Sequence, residues 1–80
     1  MSKEYYRKQI IDIRARIQKE KDAKKKDNEY YANKVKSASS ISMKASYRKD
    51  KVSHAAAHDR KIESLKRDLE RAKESLKRER

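Results

Sequence analysis

The sequence predicts an all-α chain: an antiparallel two-helix coiled-coil hairpin that assembles into a larger helical bundle. Three observations predict it. Nearly half of the 80 residues are charged and there is neither glycine nor proline, which leaves β-turns and phosphate-binding loops without the residues they need. Apolar residues recur at steps of three and four in both halves, the mark of a helix with one buried stripe. The two stripes also lie in complementary order about a serine-rich middle, so a chain folded at its centre sets one against the other. Low hydrophobicity with a net charge of +12 equally describes unfolded chains; the ordered apolar spacing decides for helix.

The first helix is expected over residues 2–36. Tyr6, Ile10, Ile13 and Ile17 share one face; the stripe fades through Glu20, Lys24 and Asp27 and returns at Tyr31. A turn is expected over residues 37–44, where Ser37, Ser39, Ser40 and Ser42 compete for backbone hydrogen bonds and weaken helix. The second helix is expected over residues 45–80, with Ala55, His58, Ile62, Leu65, Leu69, Ala72 and Leu76 as its stripe.

The rival to the hairpin is one uninterrupted helix of roughly 120 Å. Phase argues against it: heptads counted from Ile17 leave Leu65 and Ala72 one residue off the first seam. Register argues for the hairpin. Folding back at Ile41 pairs residues whose numbers sum to about 82, setting Tyr6 against Leu76, Ile10 against Ala72, Ile13 against Leu69 and Ile17 against Leu65. Further in, the same rule opposes Glu20 to Ile62, Lys24 to His58, Asp27 to Ala55 and Tyr31 to Lys51. The hairpin is thus expected to be firm at its termini and loose near its turn. Among the flanking charges, Arg16 is expected near Asp68 and Lys21 near Asp59, whereas Arg7 and Arg14 fall near Lys73 and Lys66.

A single domain of this size gains only about 3–5 kcal/mol from its own core, so a second chain or a larger parent protein is expected to complete it. With no cysteine, neither disulfide nor thiolate zinc site can serve as a staple. From the charged start, Ser2-Lys3-Glu4, and the lack of a long apolar run, neither a targeting peptide nor a membrane span is expected, and a cytoplasmic location is expected.

Few residue patterns could carry chemistry. Asp50, His54 and His58 stand at i, i+4 and i+8, one face of a helix, and paired imidazoles at that spacing can share a zinc ion. His54-Ala55-Ala56-Ala57-His58 lacks the glutamate that a zinc hydrolase places beside its first histidine. The favoured reading is that His58 fills the seam and His54 faces solvent. No serine has a histidine–carboxylate pair beside it in sequence, and two helices cannot wall off a dry cavity. No enzymatic activity, cofactor or small-molecule substrate is expected.

Binding is what remains. Tyr5-Tyr6 and Tyr30-Tyr31 are doublets in which Tyr6 and Tyr31 fill the seam and Tyr5 and Tyr30 flank it, amphipathic side chains suited to an interface. From Ser37 to Ala57 side chains are mostly small, which permits close approach of another helix, with Met43 and Tyr47 as anchors. The basic residues offer a second reading. Lys24, Lys25, Lys26, Arg48, Lys49 and Lys51, with Arg60 and Lys61, could neutralise phosphates of a nucleic acid, although acids interrupt the cations along much of the chain, as on a solvated coiled coil.

The segments Tyr5-Tyr6-Arg7-Lys8, Lys36-Ser37-Ala38-Ser39-Ser40 and Lys44-Ala45-Ser46-Tyr47-Arg48-Lys49 resemble amino-terminal helical segments of bacterial effector proteins of the Toll/interleukin-receptor type, associated with antiviral defence. The resemblance covers most of the chain and implies a helical assembly or adaptor segment with no active site of its own. Small helical hairpins that accompany substrates of specialised bacterial secretion are similar in architecture, but their Trp-x-Gly turn is absent. The sequence therefore predicts a non-enzymatic interaction module that pairs with its own copies or with a partner protein, with nucleic-acid binding as the alternative.

Overall fold

The structure, a computed structural model, describes residues 2–79. Helix α1 runs Lys3–Ser37 and helix α2 runs Ile41–Arg78. They lie antiparallel against each other along a rod whose backbone measures 61 × 14 × 11 Å, so the chain is an all-α helical hairpin.

Serine opens both helices. The Ser2 side chain accepts from the Tyr5 amide at 3.4 Å, and the Ser40 side chain accepts from the Met43 amide at 3.1 Å. Each satisfies an amide that has no partner within its own helix. Glu4 in the first turn of α1, and Lys34 and Lys36 in its last, complement the helix dipole. In α2 the first turn carries no acid, while Lys77 and Arg78 complement its end.

The turn is shorter than the expected residues 37–44. Ala38, Ser39 and Ser40 alone separate the helices, and α2 begins at Ile41 rather than at residue 45. The same chemistry that disfavours serine inside a helix makes it a good cap, and at Ser40 the capping role wins, so Ser42 is helical. No glycine is required: Ala38 leaves α1 with extended backbone at φ −68° and ψ 135°, and no described residue has positive φ. The Ser37 hydroxyl covers the end of α1 by donating to the Lys34 carbonyl at 3.3 Å. The expected second helix reached residue 80, which lies outside the described residues.

The core is narrow. Ile10, Ile13, Ile17, Ile62 and Ala72 are buried, with Leu65, Leu69 and Leu76 partly buried against them. All eight belong to the predicted stripes, and all lie in the half of the rod that carries the chain termini. Between Ile17 and Ile62 no residue is fully buried.

Candidate functional site

Where the apolar stripe of α1 fades, the seam is closed by charge. Glu20, Ala23, Lys24 and Asp27 stand at i, i+3, i+4 and i+7 and frame a four-residue hole on α1 of the kind that receives one side chain from a facing helix. His58 of α2 enters it. Its Nδ1 lies 2.5 Å from Glu20 Oε1 and its Nε2 2.6 Å from Asp27 Oδ2, with only 16% of the imidazole side chain exposed. Two carboxylates on two ring nitrogens call for two donated N–H bonds, and hence for an imidazolium. The hydrogen bond to Asp27 and then that to Glu20 raise the His58 pKa above its ordinary 6.5, against the opposing effect of burial.

This polar clasp extends along the seam on both helices. Lys24 Nζ donates to Asp59 Oδ1 at 2.7 Å. The Tyr31 hydroxyl lies 3.0 Å from His54 Nε2, while His54 Nδ1 is 3.7 Å from Asp27 Oδ2. A His54 tautomer protonated at Nδ1 fits both neighbours, its Nε2 accepting a hydrogen bond from the Tyr31 hydroxyl. Tyr31 also packs its ring on His54 at 5.0 Å. Its pKa is raised, first by desolvation and then by the negative charges of Asp50 and Asp27.

These contacts correct the expected register in detail. His58 falls at the level of Lys24, as the register expects, with its ring inserted between Glu20 and Asp27, because a knob sits over a gap rather than against a residue. Tyr31 bonds His54, one turn beyond Lys51. Asp59 takes Lys24 rather than Lys21. Arg16 and Asp68 do line one groove together, yet Arg16 pairs with Asp12 at 3.1 Å on its own helix and Asp68 with Arg71 at 3.8 Å on its own.

Asp50, His54 and His58 do not converge on one point. Both nitrogens of His58 are held by carboxylates, His54 turns to Tyr31 and Asp27, and Asp50 is exposed, with no hydrogen-bonding partner among the described residues. Among the described residues no group of three or more histidine, aspartate or glutamate side chains is arranged to hold a metal ion.

The remaining predicted residues divide by position. Tyr6 and Tyr31 are half-buried at the seam; Tyr5 and Tyr30 flank it at 46% and 50% exposure, each ring about 5 Å from its neighbour's. Gln9 donates to the Tyr5 hydroxyl, and Lys34 lies over the Tyr30 ring. Met43 is exposed, within reach of the Ser39 hydroxyl, and Tyr47 is half-buried. Of the basic candidates, Lys25, Lys26, Arg48, Lys49, Arg60 and Lys61 are exposed, Lys51 is half-buried, and Lys24 is committed to Asp59.

Two grooves missing from the sequence reading run along the terminal half, one on each flank of the seam. The first, about 360 Å³, is bordered by Gln9, Asp12, Arg16, Asp68, Arg71 and Ser75 over Ile13 and Ala72. Its charges cancel in the ion pairs just described. The second, about 410 Å³, has Ile10, Ile11 and Leu76 as its apolar surface and Arg7, Arg14 and Lys73 at its edges. The signal that could have found it is the repetition of Arg7, Arg14 and Lys21 every seven residues, which puts one sign of charge on one flank of α1.

No helix among the described residues is long and apolar enough to cross a membrane. No family model, curated protein or solved structure matches this chain.

Proposed function

We propose that this hairpin is a non-enzymatic interaction module that receives a further helix, from a copy of itself or from a partner protein, alongside its seam. The observation carrying this reading is the incomplete core. Among the described residues five are buried, while Leu65, Leu69 and Leu76 remain partly exposed and Ile11 is 67% exposed. A single helix–helix layer of this size supplies little net stability, and added helices are the ordinary way to cover such a row. Solution mass tests the reading. Light scattering over a range of concentrations, repeated on material purified under native conditions, is expected to show a species heavier than the 9.5 kDa chain. A stable helical monomer in every preparation, with no accompanying protein, would contradict it.

A second reading, contact with a phosphate backbone, is supported by the turn half of the rod. From Tyr30 to His58 the cations Lys34, Lys36, Lys44, Arg48, Lys49 and Lys51 stand against Asp50 alone. On this reading duplex affinity persists at physiological salt and falls with a slope set by the phosphates neutralised; binding confined to low salt would reduce it to unspecific attraction.

A further inference from the structure

We infer that the groove between Arg7, Arg14 and Lys73 is a docking site for an acidic amphipathic helix of a partner protein. This rests on the interaction-module reading and narrows it to one flank of the seam and one class of partner.

The two flanks of the seam supply the argument. They are built on the same backbone, cover the same core and have similar volumes, yet they differ in chemistry. On the first, Asp12 pairs with Arg16 and Asp68 with Arg71, so the flank is neutral and satisfied without a partner. On the second, all three charged residues are cations, and among the described residues Arg7 and Arg14 form no ion pair while Lys73 reaches Glu70 alone, at 3.5 Å on its own helix. Ile11, 67% exposed, stands in the middle of them.

That combination selects the occupant. A phosphate backbone would satisfy the cations but leave Ile11 and the exposed part of Leu76 facing water. A second copy presenting the same groove would oppose Arg7, Arg14 and Lys73 to their own counterparts, and like charges across an interface count against the pairing. An amphipathic helix with glutamates beside its apolar row answers both needs: its leucines cover Ile11 and Leu76, and its carboxylates meet the arginines, which engage them in paired hydrogen bonds. The arginines at seven-residue spacing match the heptad, two-turn repeat of such a helix, and Lys21 continues the row towards the turn.

The probe is a labelled synthetic helix of about three heptads, with leucine at a and d, glutamate at e and g, and a control peptide carrying lysine in place of glutamate. Binding to the full chain is followed by fluorescence anisotropy. The glutamate peptide is expected to bind and the lysine peptide not to. Ile11→Ser, at an exposed position that the hairpin does not need for folding, should weaken binding about tenfold or more, the share of an apolar anchor. Arg14→Glu should lose the glutamate peptide and gain the lysine peptide, an exchange that general unfolding cannot mimic. Asp12→Ala, on the neutral flank, should change little.

Equal affinity for parent and Ile11→Ser would overturn the inference, since attraction would then be charge alone. Duplex DNA or anionic vesicles whose binding showed the same dependence on Ile11 would overturn it in favour of those partners. A parent that self-associates and becomes monomeric on Ile11→Ser would overturn it while leaving the interaction-module reading intact. A monomer that ignores the peptide and carries no partner would end both.

Discussion

The half of the rod that carries the termini and the half that carries the turn solve the same packing problem with different chemistry. In the first, Ile10, Ile13 and Ile17 meet Ile62 and Ala72 and are taken out of water. In the second, a histidine sits between two carboxylates, a lysine holds an aspartate across the seam, and a tyrosine bonds a histidine. Apolar burial is cumulative and insensitive to pH. A polar seam is specific about register but returns little net free energy, because each group it orders was already hydrated. The charge distribution sharpens the contrast, for the stretch Tyr30 to His58 contains six cations and one acid, leaving 12 of the 13 acids to the rest of the chain. The turn half is therefore the part in which the fold tolerates exposed polar chemistry, and the terminal half is the part that holds the hairpin together.

Breaking the terminal half should have the largest effect. Ile13→Ala or Ile62→Ala removes a buried aliphatic side chain and is expected to cost roughly 2–5 kcal/mol, enough to unfold a domain this small; circular dichroism melts would show the loss, and a parent-like melting curve would contradict the assigned core.

The clasp should matter less, and in a pH-dependent way. His58→Ala leaves the Glu20 and Asp27 carboxylates, two turns apart on α1, without the cation between them, and it should lower the melting temperature by less than Ile13→Ala does. Because the folded-state pKa of His58 is raised, its contribution is fully present below 6.5, the ordinary value, and is lost as pH rises through the raised one. Melting temperatures of the parent should fall across that interval, and those of His58→Ala should not. Parallel curves for the two proteins would remove the clasp from the account.

Smaller still are the effects at the edges. Ser40→Ala deletes the cap that begins α2 and is expected to cost about 1 kcal/mol, confined to the turn and visible as faster amide exchange at Met43. Lys24→Ala breaks a partly exposed pair with Asp59 and should cost less than about 1 kcal/mol, a difference that high salt should erase.

How much of this was legible beforehand follows from the same division. The apolar half could be read directly: steps of three and four named Ile10, Ile13, Ile17, Ile62, Leu65, Leu69, Ala72 and Leu76, and their complementary order gave the fold-back. The polar half could not, because apolar periodicity registers Glu20, Lys24 and Asp27 as a gap. The summed register does bring His58 to the level of Lys24, but that its two ring nitrogens bond Glu20 and Asp27 depends on side-chain geometry, which a register does not supply. The length of the turn escapes the sequence for a related reason: serine weakens a helix from within and starts one from its cap, and only the backbone shows which role Ser40 has. The cationic groove needs a further step, since Arg7 and Arg14 meet Lys73 only once it is known which flank of α1 joins which flank of α2.

Native-state hydrogen exchange tests the division most directly. Amides from Ile10 to Ile17 and from Ile62 to Ala72 are expected to exchange only through global unfolding, and those from Asn28 to Lys51 about tenfold faster or more, through local opening. Uniform protection along both helices would contradict it, and would mean that the polar clasp holds the two helices as firmly as the isoleucines do.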